Sequence, residues 1–327
     1  VCDAAIPPTA KRVRVGERAI PAPVAKLERI VVFGDTGCRI KGLVLQNCND
    51  PVDWPFPVIA RTIADLHPDL IVDVGDYLYR ETACPPLASG CAGSPHGDIA
   101  QAWDADWFAP AAPMLASVPF VFTRGNHEEC KRSGPGWFRY LDAHPGTACE
   151  DATQPYAVDF PELRLAVFDS ASGDDQRIND DRVAAYKQAF AAADKLMAGA
   201  TGDKWFVTHR PPYMNINERS AMGTTLDAFS AVLAGHIHLF AGVNVRGLPP
   251  LVINGEGGDR LDTMLASVLT LGLGNLKTTD EPFAEPRFGF GVYTRISNGW
   301  SISLRNTTDN ELARCALTRV AVRCKAS

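Results

Sequence analysis

Several common signatures are missing from this chain of 327 residues, and each absence removes a class of function. There is no basic field: the net charge is −6, which argues against a general nucleic-acid or anionic-membrane binder. No stretch makes a convincing membrane span. Residues 228–245 lack Asp, Glu, Lys and Arg, a length that raises the question. They contain Gly235, His236, His238 and Gly242, however, and two buried strands around a turn explain them better. Residues 107–123 are also uncharged, but Pro110, Pro113 and Pro119 break them up. The Gly-rich run Asn254-Gly255-Glu256-Gly257-Gly258 is not followed by Lys-Ser/Thr, which excludes a nucleotide P-loop and leaves close backbone packing as its expected role. No Cys-x-x-Cys pair occurs among the nine cysteines, and there is no internal repeat or low-complexity tract.

What is present is a series of five motifs. They are Gly34-Asp35-Thr36-Gly37, Gly75-Asp76-Tyr77-Leu78-Tyr79, Gly125-Asn126-His127-Glu128, Val207-Thr208-His209 and Gly235-His236-Ile237-His238. Each follows an apolar run that reads as a buried strand: Ile30–Phe33, Leu70–Val72, Pro119–Phe122, Trp205–Val207 and Ala231–Ala234. A single Gly-Asp after a strand is ordinary turn chemistry. Five strand ends that all carry oxygen or imidazole donors are not. Strand ends are where open α/β sheets present their chemistry. The pattern reads as a binuclear metallohydrolase.

This set resembles the calcineurin-like metallophosphoesterase superfamily, and within it the purple acid phosphatases, over roughly residues 29–260. The superfamily's first motif is Asp-x-His, whereas Gly37 stands at the His position and cannot bind a metal. The second motif here supplies Tyr79, where the superfamily has no ligating Tyr. A lost His and a gained Tyr mark the purple acid phosphatase branch. The resemblance implies an α/β fold, a four-layer α/β/β/α sandwich with a dimetal site at one sheet edge. It implies Fe(III) on Asp35, Tyr79 and His238, and a divalent Zn, Fe or Mn on Asn126, His209 and His236. Asp76 would bridge both ions, and His127 would sit beside the substrate as general acid. The donor chemistry agrees: carboxylate and phenolate are hard anionic donors, and imidazole and amide oxygen suit divalent ions.

Asp35, Asp76 and a Tyr79 phenolate would offset most of the charge of a trivalent–divalent pair. With a bridging hydroxide the core is left at about +1 by formal counting, which attracts an anionic phosphate ester. Such ions lower the pKa of water toward ~7 and hold attacking and leaving oxygens in line across about 3.5–4 Å. The expected function is therefore hydrolysis of small phosphate monoesters by a metal-activated hydroxide. A phosphodiesterase with the same metals is the nearest alternative. A metal- or phosphate-binding protein without efficient hydrolysis belongs to a different class. Arg210, Tyr213 and His96 lie in or near the motif loops and are read as solvated loop residues, with contact to the phosphate or its leaving group as the alternative; His67 is read as a structural helix end and His144 as a turn residue. Asp169-Ser170 ends an apolar run but gains no metal role.

The hydrophobic fraction, 46%, suffices for a large core. Residues 29–327 are expected to form a single catalytic domain, preceded by an extended arm over 1–28 that carries Pro7, Pro8, Pro21, Pro23 and the basic cluster Lys11, Arg12, Arg14 and Arg18. That leaves no room in the chain for the extra N-terminal β-domain of the large plant members. After Cys2 the cysteines fall into neighbours, Cys38 with Cys48, Cys84 with Cys91, Cys130 with Cys149 and Cys315 with Cys324. Disulfides between them would place the protein in an oxidising compartment, secreted or periplasmic. Helices are expected at Asp181–Ala198 and Val58–Leu66, the latter completing a βαβ unit, with late strands at 250–254, 290–296 and 300–305. The Leu265–Leu276 stretch reads as a helix covering the sheet or a surface that pairs with another copy. Oligomeric state is not legible.

Overall fold

The apolar runs become strands buried on both faces. A computed structural model describes residues 13–21, 24, 26–143, 148–173, 175–223, 225–263 and 266–327. The chain first lays down the parallel strands β1 (Arg29–Phe33), β2 (Leu70–Asp73) and β3 (Phe120–Phe122). It then builds a second sheet from β4 (Tyr156–Phe160), β5 (Leu163–Phe168), β6 (Asp203–Thr208), β7 (Ala231–Ala234), β8 (Phe240–Val243), β9 (Leu251–Asn254) and β10 (Phe283–Glu285). Finally it returns to the first sheet with the antiparallel β11 (Gly289–Ile296), β12 (Gly299–Asn306), β13 (Glu311–Leu317) and β14 (Val322–Ala326). The spatial orders are β14-β13-β12-β11-β1-β2-β3 and β10-β8-β9-β7-β6-β5-β4. Strands β5, β6, β7 and β9 run parallel.

Alternate residues of each strand serve different cores. Ile30, Val32, Leu70 and Val72 of the first sheet meet Leu165, Val167, Trp205, Val207, Leu233 and Val252 of the second in the inter-sheet core. Their neighbours Val31, Phe33 and Ile71 turn outward onto helix α1 (Phe56–Leu66) and the helical run over 100–115. Ala166, Phe168, Phe206, Val232 and Ile253 turn outward from the second sheet onto α2 (Asp180–Leu196), α3 (Ile216–Met222) and α4 (Ala266–Gly272). Helix, sheet, sheet and helix thus stack as four layers, and period-2 alternation between two buried faces is why these strands read as continuous apolar runs.

The expected helices form with small shifts at their ends. Helix α2 starts on Asn179, whose side chain accepts from Arg182 N at 2.9 Å, and it buries Tyr186, Phe190 and Ala193. In α4, Leu269 is buried against the second sheet, in keeping with a covering helix. The prolines of 107–123 do not break that stretch throughout. The run continues as helix to Leu115 through Pro110 and Pro113, after a π-helical turn at Asp104–Phe108. Ahead of β1, Val13–Val15 pairs with Arg18–Ile20 in a short hairpin. Cys2, Pro7, Pro8, Lys11, Arg12, Pro23 and His144 lie outside the described residues. Among those described, no helix is long and apolar enough to cross a membrane.

All four neighbour cysteine pairs are closed as disulfides: Cys38–Cys48, Cys84–Cys91, Cys130–Cys149 and Cys315–Cys324. The first three pin loops on the motif side of the first sheet, and the last joins β13 to β14. Each is worth roughly 2–4 kcal/mol in ordinary cases. Unfolded, unreduced protein should therefore titrate with one free thiol, that of Cys2, and reduction should lower the melting temperature. A titre of eight or nine thiols would contradict the bonded state.

Candidate metal centre

Five strand ends deliver the candidate donors to one place. Strands β1, β2 and β3 end just before Asp35, Asp76 and Asn126, and β6 and β7 before His209 and His236. The loops are cross-bonded: Asp35 N donates to Gly75 O at 2.8 Å, Thr36 N to Asp76 O at 3.0 Å and Gly235 N to His209 O at 2.9 Å. The site therefore lies across the carboxyl ends of parallel strands from both sheets. Its backbone is strained. Asp35, Asp76 and His236 take left-handed φ values of 57°, 64° and 70°. Such residues cost about 1–3 kcal/mol each and cluster at functional sites.

Tyr79 Oη is the centre of one half. It lies 2.8 Å from Asp76 Oδ2, 3.1 Å from Asp35 Oδ1 and 3.2 Å from His238 Nε2. His238 Nε2 is also 3.2 Å from Asp35 Oδ1. In the other half, His209 Nε2 is 3.2 Å from Asp76 Oδ2 and 3.0 Å from Asn126 Oδ1, with the His236 ring 5.2 Å from that of His209. Donor atoms of Asp35, Asp76 and His238 lie within 4.8 Å of one another, as do those of Asp76, His209 and His236. Asp76 is common to both groups. His127 is next to these donors without joining either group. Its ring lies tilted against that of Tyr79, 3.6 Å between ring centres, and Nδ1 lies 3.3 Å from both Leu78 O and Glu81 Oε1.

The donor set fits a pair of ions. Two carboxylates, a phenol, an amide oxygen and three imidazoles are crowded into a nearly dry site, a combination that positive charge must balance. Without ions the imidazoles take over part of that task. Burial alone would lower His238, yet Asp259 and Asp35 raise it to about 10. Burial likewise opposes His209, but Asp76 raises it above its ordinary value. Burial, reinforced by Asp76 and Asp35, holds the Tyr79 phenol well above the ordinary phenol range, so its ionisation calls for a strong Lewis acid.

The Gly37 position is closed to any side chain. A Cβ there would come within 2.7 Å of Tyr79 Cδ2 and Tyr77 O, and within 2.9 Å of Asp106 Oδ2. The Tyr79 ring occupies the space into which a residue at 37 would project. The Gly255–Gly258 loop packs equally closely, since a Cβ at Gly257 would lie 2.3 Å from Gly34 O.

Several supporting residues carry no signal in the sequence. Asp106, on the π-helical turn, accepts from Cys38 N at 2.9 Å, Tyr79 N at 2.8 Å and Arg80 Nε at 2.7 Å. Glu128, quoted within its motif but given no role there, accepts from Tyr77 N, Leu78 N and Gly125 N at 3.0, 3.1 and 3.2 Å. Burial, with Asp76 nearby, pushes its carboxyl up to about 8. Asp259 lies 3.2 Å from His238 Nδ1 and takes Arg39 Nε at 3.0 Å, and the Arg39 guanidinium sits 4.9 Å above the Tyr79 ring. Asp175 lies 3.1 Å from His236 Nε2.

The weaker candidates separate. His96 is exposed, and His67 ends α1 in a left-handed conformation. Arg210 and Tyr213 are not solvated loop residues. Tyr213 is fully buried and donates to Pro249 O at 2.8 Å, while Arg210 pairs with Asp175 at 2.7 Å. Asp169 is spent on Arg124 at 3.1 Å.

A family model for calcineurin-like phosphoesterases matches residues 28–240. No curated protein matches the chain. Among solved structures, the purple acid phosphatase PPD1 from yellow lupin (Lupinus luteus) seeds superposes with a TM-score of 0.59 at 16% identity, over 90% of this chain and 54% of that one. The chain thus spans about half the length of the lupin protein. A structure of PhoD gives 0.63 at 13% identity, covering 94% and 73%. GAP50, the anchor in the inner membrane complex of Plasmodium, gives 0.60 at 13%, covering 90% and 89%. Likeness at these identities establishes the shared fold.

Proposed function

The chain belongs to the calcineurin-like phosphoesterase family, and from that premise we propose that it is a dimetal phosphatase of the purple acid type acting on small phosphate monoesters. One observation carries this reading. Tyr79 Oη stands among Asp35, Asp76 and His238, and its ring fills the space beside Gly37. The His-to-Gly and Tyr exchanges in the sequence are therefore one steric event.

Asp35, Tyr79 and His238 would hold Fe(III). Asn126, His209 and His236 would hold a divalent Zn, Fe or Mn ion, and Asp76 would serve both. When bound, the two ions supply Lewis acidity for the phosphate and a nucleophile near neutral pH, arranged for in-line displacement. The chain's own residues do the rest. His209 Nδ1 donates to Val74 O at 2.8 Å, which directs Nε2 into the site. His238 Nδ1 faces Arg260 O at 2.9 Å, with the same effect on its Nε2. His127 is the proton donor to the leaving oxygen. With Nδ1 turned to Leu78 O and Glu81, Nε2 is the nitrogen for that transfer, 3.9 Å from Asp76 Oδ2. Burial pushes the His127 imidazolium below its ordinary range, so the negative charge of a bound phosphate would help retain the proton until departure. Four disulfides support action in a secreted or periplasmic setting.

Tyr79 gives the test. Iron-loaded protein should be coloured by phenolate-to-iron charge transfer, and Tyr79→Phe should remove the visible band while the fold survives. A colourless iron-loaded protein, or a coloured mutant, would take Tyr79 off the ligand set. Turnover of monoesters in preference to diesters by the metal-replete enzyme tests the substrate class.

A further inference from the structure

The three imidazoles of the site are held in two different ways. His209 and His238 each direct one ring nitrogen to a backbone carbonyl, Val74 O and Arg260 O, and His238 also has the fully buried Asp259 beside it. These partners are fixed by the strand ends and the packed Gly-rich loop. His236 is held by a side chain instead. Its Nε2 lies 3.1 Å from Asp175 Oδ2, in the segment between β5 and α2. The Asp175 side chain is 42% exposed, against 0% for Asp259.

Asp175 is itself clamped. Its Oδ1 accepts from Arg210 Nη1 at 2.7 Å and from Asn215 Nδ2 at 3.0 Å, which leaves Oδ2 directed at the imidazole. Arg210 follows His209 directly in the chain and is buried. Asn215 caps α3, accepting from Asn217 N and Glu218 N at 3.0 Å each. A carboxylate with two donors on one oxygen is an acceptor only. It therefore fixes the His236 proton on Nε2 and leaves Nδ1 as the lone-pair nitrogen. Carboxylates in this position orient ligand imidazoles and raise their basicity.

We infer that Asp175 is a positioning residue for the divalent ion, acting through His236, a role that rests on His236 being a ligand of that ion. Because the support comes from a part-exposed loop carboxylate, the divalent position is the adjustable one of the pair. The other half of the site is held from buried groups.

Protein loaded with Fe(III) and Zn(II), then dialysed against graded chelator, separates the possibilities by metal content. Asp175→Ala should release Zn(II) about 10–100-fold more readily than the parent, with iron unchanged. Asp175→Asn keeps an acceptor without the charge and should fall between. At saturating Zn(II), kcat for the Asp175→Ala enzyme should return to within a few-fold of the parent. His236→Ala is the reference. If it keeps Zn(II) at parental affinity, His236 is not a ligand and the role of Asp175 falls with it. If His236→Ala loses Zn(II) but Asp175→Ala does not, the ligand assignment stands and the positioning role is wrong. Equal loss of both ions from Asp175→Ala also overturns it, since the effect would then be on the fold around the site.

Discussion

His127→Ala should retain both ions and lower kcat for an alkyl phosphate by roughly 10²–10⁴-fold, with a much smaller fall for p-nitrophenyl phosphate. The contacts of His127 divide cleanly between backbone and ring. Its N–H donates to Asp76 Oδ1 at 2.8 Å, and the alanine variant keeps that bond. Its ring meets Leu78 O, Glu81 and Tyr79, with Nε2 3.9 Å from Asp76 Oδ2, and none of these depends on it for placement. Tyr79 stays fixed by Asp106 at its amide and by Asp76 and Asp35 at its hydroxyl. Glu81 keeps Arg132 and Lys41 as partners. The donor groups should therefore survive, and what disappears is a proton carrier. An alkoxide must be protonated as it leaves, whereas p-nitrophenolate is stable as an anion, so the two substrates report on that proton. Equal falls for both, with metals intact, would make His127 a phosphate-positioning group. Loss of metal would make it part of the structural support.

The sequence marked the candidate donors that the fold brings together and left their supports unread, and the reason is locality. Each donor follows its strand within a few residues, and the strand announces itself because both of its faces are buried, as with Val31 and Val32 on opposite sides of β1. The supports act across long stretches of chain. Asp106 reaches Cys38 from 68 residues away, from a π-helical turn in a segment whose prolines argued against helix. Asp175 reaches His236 across 61 residues. Asp106 has no turn or glycine beside it, and Asp175 follows Gly173 in a polar segment that reads as an ordinary turn. Tyr213 reads as a solvated loop residue from its place beside a motif loop, yet its ring is buried and its hydroxyl finds Pro249 O. The closing strands β13 and β14 were also missed. β14 is the edge strand of its sheet and β13 is its neighbour, and exposed charged residues such as Arg314, Arg323 and Lys325 interrupt their apolar pattern.

Replacing Asp76 should have the largest effect of all: loss of both ions and of measurable turnover. Its carboxylate is shared by the two halves of the site. Oδ2 faces Tyr79 Oη at 2.8 Å and His209 Nε2 at 3.2 Å, while Oδ1 holds His127 N. Burial alone would raise its pKa, but His209 and His127 hold it well below the usual carboxylate range, so it is an anion in place before any ion arrives. Removing that charge leaves a phenol, three imidazoles and an amide facing one another, with Asp35 as the remaining carboxylate of the two groups. The choice of variant matters, because Asp76 sits at φ 64°. Alanine is strained there by roughly 1–2 kcal/mol, whereas asparagine tolerates the left-handed region. Asp76→Asn keeps the backbone and the shape and removes the charge alone. After dialysis it should hold neither ion, whereas Asn126→Ala should lose mainly the divalent one and keep iron. If Asp76→Asn holds both ions as the parent does, Asp76 does not bridge. If it loses only one, the carboxylate belongs to that half of the site alone.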